Sequence, residues 1–342
     1  MVPLRLLPRI FVFDDEELPP ELRAQRQLNK GRVPEMARYL MKNPESYVFS
    51  AITASIDGNV HFQPSSDGAS GERIGALQVP MDAKFIVNDG QHRRAAIEQA
   101  LHENPDLGDE TIAVVFYIDV GLKRCQQMFA DLNRYAIRPS RSLSVLYDHR
   151  DDKAELARQI VMQCDVFKDV VDLERSALAQ GSKKLFTLSA IYTATGTLLA
   201  NVDGSPEKRA KQARDFWNSL PSHFPEWQRV QQGAMYAKEV RERFIHSHGV
   251  VLHALGKVGN AILLSGATGY KKRLTPLKDI DWRRENAELW EGRATNGGRV
   301  VKGQNNVTLT ANAIKIKLDM PLTAEEQRVE DAFLRGDYER QN

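Results

Sequence analysis

Basic side chains gathered where a helix begins are the first feature with chemical potential. In the run Asp89-Gly90-Gln91-His92-Arg93-Arg94 a short apolar strand, Phe85-Ile86-Val87, passes through an Asp-Gly turn into a helix reaching Leu101. A helix start leaves N–H groups without intrahelical acceptors, and Asp89 is placed to cap them. His92, Arg93 and Arg94 add positive charge where the helix dipole is already positive, which costs roughly some tenths of a kcal/mol. A bound anion reverses that cost, because helix N-termini attract anions and an arginine offers paired donors to a phosphate. The competing reading is pairing of these arginines with carboxylates such as Asp82 or Asp131, or plain hydration.

A second group, Phe129-Ala130-Asp131-Leu132-Asn133-Arg134 with Arg138 and Pro139 beyond it, closes a later helix. Asn133 either ends that helix in a left-handed conformation or, with Arg134, completes a phosphate or metal-phosphate pocket opposite the Asp-Gly turn. If such a pocket hydrolyses its ligand, Asp89 and Asp131 are the candidate catalytic carboxylates, since hydrolysis needs a metal held by acids and an oriented water. Either one also serves as an ordinary cap.

The net charge of +2 does not describe a basic nucleic-acid coat. Its distribution is uneven: residues 205–273 hold 12 Lys and Arg against 5 Asp and Glu, a local excess of +7. Lys208, Lys211 and Arg214 fall along one side of a helix, and Lys271, Lys272 and Arg273 form a run. Lys183 and Lys184 precede a helix that starts at Thr187 and are placed to donate to phosphates, with that helix available for reading bases. Solvated basic faces are the alternative.

Other motifs exclude chemistry. Gly68, Gly71 and Gly75 lack the Lys-Ser or Lys-Thr of a phosphate loop. His246, His248 and His253 come without a partner motif, so no structural metal is expected. The 2 cysteines, Cys125 and Cys164, make neither a metal-ligand spacing nor a disulfide framework. Trp217, Trp227, Trp282 and Trp290 lie in or beside apolar helical patterns and read as core. The N-terminal apolar run is broken by Arg5, Pro8, Arg9 and Asp14, short of a membrane span and without a leader cleavage site, so a cytoplasmic protein with no membrane partner is expected.

These groups need elements to hold them. Residues 32–43 have helical spacing, Tyr47–Phe62 reads as two short strands around the Asp57-Gly58 turn, and Thr111–Val120 is the strongest strand signal. Strands alternate with helices up to Pro139, and from Ser140 the pattern is helical, with segments at 141–164, 187–200, 206–220, 226–246 and 250–264. The expected fold class is α+β: a mixed α/β domain over 1–139, a mainly helical domain over 140–270, and a small C-terminal segment over 271–342 with short strands and a last helix after Pro321.

The stretch Ile74–Leu101 with its DGQHR core, together with Phe129–Asn133, resembles the signature pair of the DGQHR-domain family, in particular its DndB group of DNA sulfur-modification proteins. Lys183–Ala194 and the late blocks around Trp282, Trp290, Gly297–Gly303 and Thr310–Leu318 extend the resemblance over nearly the whole chain. More loosely, the strand-Gly-Arg-Arg-helix unit is similar to ParB and sulfiredoxin, which meet nucleotide phosphates there. The chain departs from ParB in having an Asp in place of the Glu of that family's Asn-containing box and in interposing Gln91 and His92, and it has no sulfiredoxin-type Cys beside the arginines.

The resemblance implies a ParB/sulfiredoxin-like N-terminal domain and a nucleotide or phosphate site at Asp89, Gly90, Gln91, His92, Arg93, Arg94, Asn133 and Arg134. Its implied ligand is ATP or CTP with Mg. Lys183, Lys184, Lys208, Lys211, Arg214, Lys271, Lys272 and Arg273 are the corresponding DNA contacts. The implied role is a repressor that binds double-stranded promoter DNA of the phosphorothioate-modification operon, with other modification proteins or a second copy of the chain as partners. The alternative is a ParB-like ATPase or nuclease in the same process.

Overall fold

A computed structural model describes residues 1–11, 31–66, 71–118, 121–134, 139–266 and 270–336. The chain packs as two units, Met1–Ile137 and Arg138–Asn342. The mixed and mainly helical composition of the two is an α+β arrangement.

The first unit is organised by a strand that polar neighbours do not interrupt. Ile52–Asp57 (β1) is buried at its first five residues, as expected of a strand with partners on both edges and cover on both faces. Lys84–Asp89 (β2) pairs with it antiparallel and Val114–Ile118 (β3) parallel, giving the order β2-β1-β3. Ala54 faces Val87 and Ile56 faces Phe85, with a register irregularity between Thr53 and Ala54 beside the end of β2. One face of the sheet packs on Val33–Lys42 (α1) and Gln91–Glu103 (α2) through Ala37, Leu40, Ala96, Ile97 and Ala100. Ser55 and Asn88 form a buried polar pair, the Asn88 amide donating to the Ser55 hydroxyl at 2.6 Å. Gly121–Arg134 (α3) lies against β2.

His61–Pro64 does not fold back on β1 as the Asp57-Gly58 turn suggests. It pairs antiparallel with Gly75–Gln78 in an exposed ribbon. Gly75 is required there, since a Cβ would stand 2.1 Å from the Gln63 carbonyl oxygen.

In the second unit the single helix expected over 141–164 is two, Arg141–Tyr147 (α4) and Asp152–Gln163 (α5), because Asp148 closes one and Asp151 caps the next. Leu188–Leu198 (α6), Pro206–Trp217 (α7) and Gly249–Leu264 (α8) follow the sequence pattern, while 226–246 breaks into Pro225–Gln231 and Ala237–Arg243 around the left-handed Gly233. Gln304–Lys317 (α9), which the sequence reading leaves unassigned, packs on α8, so residues on both sides of 270 share one core. The four tryptophans belong to that core, and each indole N–H finds an acceptor: Thr195, His246, and the carbonyls of Leu277 and Asp281.

Ala324–Leu334 (α10) is fastened by charge. Arg293 donates to Glu330 at 2.5 and 2.9 Å, and Lys315 donates to both oxygens of Glu326 at 2.7 Å. All four residues are under 9% exposed. Glu326 also closes a capping box with Thr323.

Removing one partner of such a pair strands a buried charge. Glu330→Ala is expected to lower unfolding stability by about 3 to 5 kcal/mol, whereas Lys238→Ala, which breaks an exposed pair with Glu242, should change it by under about 1 kcal/mol. Urea unfolding of the two variants checks this; equal small effects would show that the Arg293 pair is not buried in solution.

His246, His248 and His253 are each held below the ordinary histidine value by burial, and His253 goes to about 4 with Lys302, Lys257 and Arg141 adding to the effect. The unfolded chain therefore binds more protons than the folded one between about 4 and 6.5. Stability should be full above that upper value and fall as pH drops through the window. A pH series of thermal melts with and without His253→Gln measures the share of that residue; an identical acid slope in both proteins would contradict it.

Candidate phosphate and nucleic-acid site

The turn at 89–91 is built as the sequence implies in backbone but not in side-chain roles. Gly90 has φ 112° and ψ 13°, a left-handed conformation suited to glycine, and a Cβ there would meet Ile52 Cγ1 at 3.0 Å and Arg93 Nη2 at 3.1 Å. Gly90 itself is the N-cap of α2, without a side-chain capping bond. Asp89 is therefore not the cap. Its carboxylate accepts a 2.7 Å bond from Arg93 Nη2, which also donates to the Ala51 carbonyl at 3.1 Å. The arginines do meet carboxylates, but local ones: Asp89 for Arg93, and Glu98, at 3.4 Å, for Arg94. Asp82 and Asp131 are not those partners.

What remains is a turn rich in donors. Gln91 is 8% exposed, and its Nε2, like Arg93 Nε, is buried with no hydrogen-bond acceptor among the described residues. A buried donor without an acceptor costs about 1 to 3 kcal/mol. His92 is pushed below its ordinary value first by burial and then by Arg32 and Arg93, against an opposing pull from Asp89. Burial also lowers the Arg94 value. Donors lacking acceptors, in a field that disfavours further protons, fit the oxygens of a phosphate group. The residues thus fit the phosphate part of ATP or CTP. A magnesium ion would have to draw Asp89 away from Arg93.

Asp131 accepts from Gln127 one helical turn earlier, at 2.8 Å on an exposed surface. Arg134 is exposed at the end of α3, and the side chain of Asn133 lies outside the described residues. With 14 residues, α3 spans about 21 Å, long enough to return from the far end of β3 to the end of the sheet where Asp89 and Gly90 stand.

The basic segments of the second unit divide by what their cations already do. Lys208 and Lys211 are exposed on α7, the latter 3.0 Å from Asp215, while Arg214 is half-buried and donates to Gln163 at 2.9 Å. Lys272 and Arg273 are exposed on the short helix Tyr270–Arg273, and the Lys271 side chain is outside the described residues. Lys183 is exposed; Lys184 donates to the Asp169 carbonyl at 2.9 Å. The helix after Thr187 cannot read bases, because Leu188, Ile191, Ala194 and Leu198 are fully buried and Thr195 bonds Trp217 inside the core.

Two arrangements bring together residues that lie far apart in the sequence. Arg241 brackets the loop before α6, donating to the carbonyls of Ala179, Gln180, Ser182 and Lys184. Arg141, His253, Lys257 and Lys302 converge from three distant segments. Only the spacing of His253 and Lys257, one turn apart on a mostly apolar helix, signals the second. Among the described residues no group of three metal-ligating side chains is placed to hold an ion, and no helix is long and apolar enough to cross a membrane.

Against known proteins, the family model DndB, described as DNA-sulfur modification-associated, matches residues 1–321. No curated protein and no solved structure matches the chain.

Gln91→Met removes the orphaned donor while keeping the side chain's bulk. It should leave folding stability unchanged or raised, and weaken ATP or CTP binding by about tenfold, or 1.4 kcal/mol, in calorimetry. Arg93→Ala should weaken both binding and stability, because Arg93 also ties α2 to the Ala51 carbonyl. Wild-type nucleotide affinity in the Gln91 variant would take that residue out of the site.

Proposed function

The chain belongs to the DndB family of DNA-sulfur modification-associated proteins, and from that premise we propose that it is a DNA-binding transcriptional regulator, a repressor of the operon for DNA phosphorothioate modification. The match over residues 1–321 is the observation that carries this reading, because it takes in both structural units rather than one shared module. Its site has two parts. Exposed Lys183, Lys208, Lys211, Lys272 and Arg273 supply contacts to the backbone of double-stranded promoter DNA. The turn at Asp89–Arg94 with Asn133 and Arg134 receives a phosphate, of a nucleotide such as ATP or CTP, and the ParB-like character of the first unit belongs to this part of the proposal.

The chemistry of the two parts differs. Lysines on an exposed helix face neutralise phosphates without reading sequence, and their contribution weakens with salt. The Gln91 and Arg93 donors are buried and directional, so they suit a single bound group. A cytoplasmic location, a second copy of the chain and other modification proteins as partners complete the proposal.

In mobility-shift assays the protein should prefer its operon's promoter over random duplex DNA at moderate salt. Replacing both Lys208 and Lys211 with Ala, or both Lys272 and Arg273, should flatten the log-log salt dependence by about 0.9 for each phosphate no longer neutralised and weaken promoter and random DNA alike. Arg214 is left in place because it also bonds Gln163. Equal affinity for promoter and random DNA would refute the repressor role; unchanged slopes in both double variants would remove these lysines from the interface.

A further inference from the structure

Within the second unit, three cationic side chains gather around one imidazole, and among the described residues no acid pairs with them. Gly249, His253 and Lys257 follow one another at four-residue intervals along α8, so they share a face. Lys302 crosses the start of that face, its Nζ 3.3 Å from where a Cβ on Gly249 would stand. Lys257 reaches the neighbouring helix and donates to Thr308 Oγ1 at 3.0 Å. Arg141, at the first turn of α4, stands with its guanidinium 5.7 Å from the centre of the Tyr192 ring and acts electrostatically on both His253 and Lys302.

The acids nearby are committed elsewhere. Asp151 accepts from the Tyr192 hydroxyl at 2.6 Å and from the Lys153 N–H. Glu326 is held by Lys315 at 2.7 Å, and it and Glu325 act on Lys257 only at longer range. Among the described residues no carboxylate lies within salt-bridge distance of Arg141, His253, Lys257 or Lys302. Asp148 is the remaining acid near Tyr192. Lys302 also leads directly into Gly303, the N-cap of α9, a helix without an acidic residue in its first turn.

Cations drawn in around the half-buried His253 and Lys257 from exposed Arg141 and Lys302 repel one another unless something neutralises them. We infer that Arg141, His253, Lys257 and Lys302 form a receptor for a phosphate group, separate from the turn at Asp89–Arg94. The donor set suits an oxyanion: two flexible ammonium groups, a guanidinium fork and an imidazole come from α4, α8 and the residue before the N-cap of α9. The same chemistry serves a phosphate of a DNA backbone or a small phosphate-bearing ligand. The inference does not depend on the repressor reading.

The reporter is His253, whose resonance is identified by its loss in His253→Gln. The imidazole titration of the full chain is followed by NMR in chloride and again with excess inorganic phosphate at matched ionic strength. Phosphate should raise the His253 midpoint by about one unit or more, as a neighbouring anion does. Lys302→Ala and Arg141→Ala, both at exposed positions, should lose the shift, and Lys302→Arg should keep it. A duplex oligonucleotide that reproduces the shift and competes with phosphate identifies the ligand as a backbone phosphate; a shift with inorganic phosphate alone identifies a small ligand. No shift with either, or a full shift in both alanine variants, overturns the proposal.

Discussion

Backbone contact between two helices is the constraint on which the second unit depends. At Gly256 a Cβ would stand 2.4 Å from the Ala194 carbonyl oxygen, and at Gly259 it would stand 2.5 Å from Leu198 and 2.6 Å from Phe216. No larger residue permits α8 to lie this close to α6 and the end of α7. The close approach fixes the rotation of α8. Its glycine face turns to α6, and His253 and Lys257 are carried to another side, where Lys257 meets α9 through Thr308. Packing in the core and charge at the surface are thus set by one helix orientation.

The first unit has a different organising element. There β1 is buried from Ile52 to Ile56, and both the Asp-Gly turn and α2 take their positions from the strand beside it. The register irregularity at Thr53 falls opposite Asp89, next to the turn. Arg93 reaches back across that junction to the carbonyl of Ala51. The motif is therefore an architectural joint as well as a donor cluster. The same side chain that would meet a ligand holds the helix to the sheet.

Much of this was legible in the residues. Apolar periodicity marked α5 through α8, and the strand-turn-helix at 85–101 followed from Val87, Gly90 and the helical spacing beyond. Other features were hidden for physical reasons. The run Val307–Lys317 mixes β-branched residues with lysines and shows no clean stripe, because α9 is buried almost all round and has no solvent face to mark its period. Pairing of His61–Pro64 with Gly75–Gln78 was hidden because an exposed ribbon carries no inward alternation. Local charge excess at 205–273 overstated the free positive surface: Arg209, Arg214 and Arg241 spend their donors on internal acceptors. Convergence of Arg141 with His253 and Lys302 is a tertiary fact, set by helix packing over more than a hundred residues.

The position of β1 also orders events in time. Its two neighbours lie later in the chain, β2 by some thirty residues and β3 by some sixty. A ribosome delivering this chain from its N-terminus releases β1 with neither edge covered, and the parallel ladder has no partner until Ile118 has emerged. At a synthesis rate of about 5 to 20 residues per second, that interval lasts several seconds. Through it the nascent chain carries an apolar strand whose edges only later residues can cover, although earlier ones such as Ala37 and Leu40 share its core. The three-stranded sheet of the first unit therefore cannot be complete until synthesis has passed Ile118.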